Sequence, residues 1–302
     1  MPAHGSPRAA LFVLAGVVLG GGLSWALMKL ALGQVSPHAF LLARLAFATL
    51  AAFAVAGAMG RLRWPGRGAA LPIVSVAVLQ MGAFLWLVTV GVNLVPAGRA
   101  ALLAYTTPVW VIPLALTWLG ERADAHALAS IGLGLAGIAV LFAPSAGVWA
   151  SDARILGNLL LLAGAVVWAV QIVLLRRMHA DAARLIYLPW QLLLATALVA
   201  ALTLTVHGPG AVAAPWTPRA VAIGAYAGVI STTFVFWGLL YVGRNLPAVS
   251  SSVGFLGVPA VGLVSAALIL GEPVTWTLLA GFVLIAAAIA VQIRALTRRA
   301  SA

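Results

Sequence analysis

The sequence predicts an all-α integral membrane protein of ten transmembrane helices, folded as two inverted five-helix repeats. Three observations predict it: apolar runs of membrane-spanning length separated by short loops, near-complete withdrawal of charge from those runs, and prolines and Gly-Glu pairs that recur at one fixed offset. Of the 302 residues, 64% are hydrophobic and 7% charged, and the mean hydropathy is +1.14. A water-soluble domain of this length needs far more polar surface.

Taken in order, the apolar runs place helices at roughly 9–32, 38–58, 70–92, 96–118, 123–142, 155–177, 183–206, 219–242, 247–270 and 274–294. Residues that break helices lie between them: Ser36-Pro37, Arg63-Trp64-Pro65-Gly66, Asn93 to Pro96, Gly208-Pro209-Gly210 and Pro215 to Pro218. Pro108, Pro113, Pro189 and Pro259 fall inside runs, where neighbouring helices can satisfy the backbone groups they free. The first run continues past Lys29 and lacks a small-residue cleavage site, so it reads as a permanent helix rather than a signal peptide.

The net charge of +12 comes from arginines that punctuate the runs instead of forming a nucleic-acid-binding face. With the N-terminus in the cytoplasm, the inner segments carry Arg8, Arg61, Arg63, Arg67, Arg122, Arg176, Arg177, Arg184, Arg244, Arg294, Arg298 and Arg299. The outer side carries Arg154, Arg219 and Arg99. Twelve against three places both termini in the cytoplasm, with the chain as a multi-pass protein of the inner membrane.

Pro96, Pro108 and Gly120-Glu121 are matched by Pro247, Pro259 and Gly271-Glu272, each displaced by 151 positions. Trp86 and Trp237, Ala97 and Ala248, and Leu119 and Leu270 share that offset, while Trp25 pairs with Trp168 at 143. The expected units are residues 1–145 and 146–302. An odd number of spans per unit inverts the second copy. Inverted repeats are a common architecture of secondary transporters, with the substrate site near the midplane where the copies meet.

Trp25 with Lys29, Ser36-Pro37, Arg44, Thr107-Pro108 and the two Leu-Gly-Glu endings at 119–121 and 270–272 resemble the EamA-type members of the drug/metabolite transporter superfamily. The resemblance covers nearly the whole chain. It implies a central cavity lined mainly by the first, third, fourth, sixth, eighth and ninth helices, and export of amino acids or related metabolites. Among branches, the chain is most similar to the YddG-type amino-acid exporters. The second copy departs from the first: Ile172 stands where Lys29 would recur, and Tyr187 falls near the equivalent of Arg44.

Candidate substrate-binding residues are the polar and aromatic side chains within the runs: Trp25, Gln80, Phe84, Tyr105, Trp168, Gln171, Thr233, Trp237, Ser251 and Phe255. Amides and hydroxyls in an aromatic-walled cavity suit an amphipathic solute. The competing reading makes the tryptophans and tyrosines an interfacial belt and the serines packing residues. On the eighth run, Tyr226, Thr233, Trp237 and Tyr241 fall at helical spacing and predict one stripe. Lys29, Arg44 and Arg99 lie at similar depth. They form either a charge cluster at the substrate or gate, or side chains that snorkel and bond helix-end carbonyls.

The five acids, Glu121, Asp124, Asp152, Asp181 and Glu272, lie at helix ends or in loops, as do His4, His38, His126, His179 and His207. With no proton carrier inside a run, the expected mechanism is a uniporter. Glu121 and Glu272 read as structural, pairing with an arginine or with helix-start amides. No catalytic grouping, nucleotide-binding loop or metal cluster is present, and cysteine is absent, so neither enzyme chemistry nor a cofactor is expected. The expected partners are a small-molecule substrate and membrane lipid, with no nucleic acid, in a monomer or weak dimer. A drug or lipid-like metabolite exporter of the same fold, proton-coupled or not, is the alternative.

Overall fold

The computed structural model describes residues 7–121, 124–143, 147–178, 185–212, 215–246, 251 and 254–300. Pro247, the start of the ninth apolar run, Ser250, Ser252, Arg122, Arg184, Asp181, His4 and His179 lie outside the described residues.

The described chain is helical, without strands. Helices α1 (Pro7–Leu32), α2 (Pro37–Ala58), α3 (Ala70–Leu94) and α4 (Ala97–Trp118) are followed by α5 (Ala125–Leu141) and α6 (Asp152–Arg177). Next come α7 (Leu188–His207), α8 (Pro218–Asn245), α9 (Gly257–Leu270) and α10 (Trp276–Ala300). Eight of these are long and apolar enough to cross a membrane, and α5 and α9 are shorter apolar helices.

Local chemistry sets the helix ends. The Ala39 amide donates to Ser36 Oγ (3.1 Å) with Pro37 in the first turn of α2, and Thr217-Pro218 opens α8 the same way. The Ala127 amide donates to Asp124 at the start of α5. Gly120 and Gly271 end α4 and α9 at φ 66° and 68°, a left-handed conformation that a Cβ disfavours.

Two helices contain a wider turn. Val76–Phe84 of α3 and Val229–Phe234 of α8 are π-helical. Adding 151 to 76 and 84 gives 227 and 235, so the second run falls inside the register of the first. Wide turns of this kind are frequent at functional sites.

Hydrogen bonds between distant segments sort the helix ends into two groups. At one end, called distal here, Lys29 meets Val92 and Val95, Ser36 meets Ala211, Gln34 meets Thr217, and Glu272 meets Ala97. At the proximal end Glu121 pairs with Arg176, and the Trp190 indole donates to the Arg63 carbonyl. Close packing uses small residues. A Cβ on Gly228 of α8 would lie 2.5 Å from the Arg44 carbonyl oxygen of α2.

Candidate functional site

Four candidate residues from four helices form a continuous chain of rings. Trp25 of α1 and Tyr105 of α4 meet edge-on at 6.5 Å, and Tyr105 meets Trp168 of α6 edge-on at 6.4 Å. Trp168 tilts over Phe84 of α3 at 4.8 Å. Tyr105 stands where α4 breaks, just before Thr107-Pro108, because Pro108 has no amide to continue the ladder. The hydroxyls of Thr106 and Thr107 donate to the Leu103 and Ala104 carbonyls (2.7 and 2.9 Å), which satisfies part of that break. Phe84 closes the wide turn of α3, and Gln80 lies half-buried within it.

Gln171, three residues beyond Trp168 on α6, is fully buried. Its amide nitrogen donates to Ser75 Oγ at 3.4 Å, while its carbonyl oxygen has no partner. A buried acceptor left open in an apolar surrounding carries a desolvation penalty that a polar solute or water would relieve.

The expected stripe on α8 is divided. The wide turn at Val229–Phe234 lies between Tyr226 and Trp237 and shifts the helical phase. Tyr226 donates to the Gly20 carbonyl of α1 (2.9 Å), whereas Thr233 donates to the Ala48 carbonyl of α2 (3.0 Å). Trp237 stacks on Tyr241 at 5.1 Å and contacts Phe234. Ser251 is buried near the Val242 carbonyl, and Phe255 is half-buried. Among the described residues, no ring contact links either the α8 group or Phe255 to the Trp25–Phe84 chain.

The three cations bond to separate sets of partners. Lys29 Nζ donates to the carbonyls of Val92 (2.7 Å), Asn93 (3.0 Å) and Val95 (2.9 Å), so all three of its protons cap the end of α3. Arg99 Nε donates to Asn158 Oδ1 at 2.6 Å. Arg44 Nε donates to Thr232 Oγ1 at 2.9 Å. At the same distal end, the Glu272 carboxylate accepts the amides of Ala97 (2.6 Å) and Gly98 (3.0 Å) at the start of α4. A carboxylate at a helix N-terminus meets both unpaired amides and the positive end of the helix dipole.

Sequence reasoning did not single out Ser75, Asn158, Gln191 or Thr232. Each is a polar residue inside an apolar run, the kind of position where function concentrates in membrane proteins. Gln191 is fully buried, and neither of its amide atoms has a partner. Among the described residues no group of three or more His, Cys, Asp and Glu could hold a metal ion.

Comparison with known proteins identifies the family. The EamA-like transporter family matches residues 8–143 and again 155–294. The uncharacterized transporter YvbV of Bacillus subtilis is 29% identical, over 93% of this chain and 90% of that protein. A probable terminal-alkyne amino-acid exporter of Streptantibioticus cattleyicolor is 31% identical, over 86% of each. A solved crystal structure at 22% identity shares the fold, with a TM-score of 0.66 over 98% of this chain and 99% of that one. Two family matches that together span most of the sequence, on an all-helical chain with long apolar helices, make this protein a member of the EamA-like transporter family of the drug/metabolite transporter superfamily.

Proposed function

We propose that the protein is a secondary transporter that exports small metabolites, neutral and aromatic amino acids above all, across the cytoplasmic membrane. In this reading all ten helices span, the two five-helix halves are inverted, and both termini face the cytoplasm. The observation that carries the substrate class is the Trp25–Tyr105–Trp168–Phe84 chain with the open Gln171 acceptor beside it. Aromatic walls with a few polar groups suit a solute that has an apolar side chain and a polar head. The probable terminal-alkyne amino-acid exporter of Streptantibioticus cattleyicolor, with which 86% of the chain aligns, supports amino acids as the broad class.

Alternating access is supported by the ends of the bundle. With the termini inside, the distal end faces outward. There Lys29 ties α1 to α3, and Glu272 ties α9 to α4. The matching Gly-Glu turn at the proximal end directs Glu121 to Arg176 instead, in an exposed pair. The distal ties are partly buried bonds to helix-end backbone, whereas the described proximal pair is solvent-exposed, which suits a state closed to the outside. Wide turns in matching register in α3 and α8 support the two-copy reading.

Reconstituted liposomes loaded with unlabelled L-phenylalanine test the proposal by counterflow of the labelled amino acid. The expected result is protein-dependent exchange, inhibited by other neutral amino acids and not accelerated by a proton gradient once the membrane potential is clamped. Absence of amino-acid movement refutes the substrate class; acceleration by the gradient refutes the uniporter.

A further inference from the structure

The charge on Arg44 is not explained by the bonds it makes. Its side chain is buried, 7% exposed, in a segment long and apolar enough to span a membrane. A guanidinium carries five N–H donors. Nε takes Thr232 Oγ1, and Nη1 lies 4.0 Å from the Met28 sulfur, a weak acceptor. The four described carboxylates serve other groups or positions. Glu121 pairs with Arg176, Glu272 caps α4, Asp124 caps α5, and Asp152 sits exposed in the first turn of α6. A buried cation without a counter-charge costs several kcal/mol, and a neutral amide would hold Thr232 without that cost.

The fold nevertheless holds this cation in place. The Thr232 hydroxyl spends its own proton on the Ala227 carbonyl at 2.8 Å, five residues back in the wide turn of α8, so a lone pair remains for Arg44. Gly228 lets α8 close directly onto the α2 backbone at Arg44. Met28 lies three residues beyond Trp25 on the same face of α1, and Trp25 begins the ring chain. By contrast, all three protons of Lys29 are already given to carbonyls.

We propose that Arg44 is the carboxylate-binding group of the transport site. It takes the substrate carboxylate on its Nη edge while the rest of the solute extends toward Trp25 and Tyr105. Guanidinium–carboxylate pairing is planar and bidentate, so it discriminates by geometry as well as charge. The proposal rests on the amino-acid reading above and specifies which end of the substrate is held, and by what.

Purified protein in detergent is heated with L-phenylalanine, 3-phenylpropionate, phenylalaninamide or phenethylamine, and the same compounds compete in counterflow of labelled L-phenylalanine. The expected result is stabilisation and competition by the two carboxylates and neither by the amide or the amine. Arg44→Gln is expected to abolish the preference, and Arg44→Lys to keep it with affinity weakened about tenfold. Equal competition by acid and amide in the native protein, or an acid preference that persists in Arg44→Gln, overturns the proposal. If Arg44→Gln does not fold, the native comparison and Arg44→Lys decide. Arg44-dependent stabilisation by 3-phenylpropionate without movement of any amino acid would refute the amino-acid reading and leave the carboxylate site standing. Counterflow in Arg44→Gln with an unchanged acid preference would do the reverse.

Discussion

Replacing Trp168 with alanine removes two ring contacts at once, to Phe84 and to Tyr105. Each such pair is worth about 1 kcal/mol beyond its buried area. Those contacts bear on stability; loss of a like contact to an aromatic substrate is expected to lower counterflow roughly fivefold to tenfold, with the protein still folded in detergent. Thr233→Val is the control: its hydroxyl serves the Ala48 carbonyl, so the loss is expected in thermal stability rather than in substrate preference. Unchanged counterflow in Trp168→Ala would remove the ring chain from the transport path. The members of that chain are among the aromatic residues picked out inside the apolar runs, but so are Trp237 and Phe255, which no described ring contact joins to it. Distant polar partners could not be named. Arg44 and Thr232 are 188 residues apart, Lys29 and Val92 63 apart, and nothing local marks either pairing.

Helix boundaries are set by short-range chemistry, which is why the apolar runs located them. The expected helix at 70–92 is observed at Ala70–Leu94, and that at 96–118 at Ala97–Trp118. The wide turns in α3 and α8 could not be read that way. They alter which carbonyl each amide reaches without changing residue type, and so the even stripe expected on α8 was divided. Interhelical distance is likewise a property of the pair. Gly228→Ala would force a Cβ against the α2 backbone, with Phe47 Cβ at 2.6 Å and the Ala48 nitrogen at 2.7 Å. A loss of about 1–3 kcal/mol is expected, read as a lowered unfolding temperature in detergent. The same change at Gly243, which has open space around it, is expected to cost far less.

The proposed cycle needs the distal end to come apart and re-form. Glu272→Gln weakens two hydrogen bonds to α4 that are strengthened by charge, each worth about 1.5–3 kcal/mol. The chain has no cysteine, so a single reporter gives an uncontaminated readout. Ala101, fully buried one turn below the capped amides, suits that purpose. In an Ala101→Cys background, Glu272→Gln is expected to speed labelling by an impermeant maleimide added from outside by about tenfold. Equal rates with and without the substitution would mean that Glu272 does not hold the end shut. Both catches at that end carry a full charge, Lys29 positive and Glu272 negative, and they lie close enough to feel one another's field. Released together, they shift equal and opposite charge through the membrane field, where one unbalanced charge would feel about 2.3 kcal/mol per 100 mV. A zwitterionic cargo adds no net charge of its own. The electrical gradient that drives so much traffic across a cell membrane would then gain no net purchase through these two catches or the cargo, leaving the concentration of that cargo to set the direction of flow.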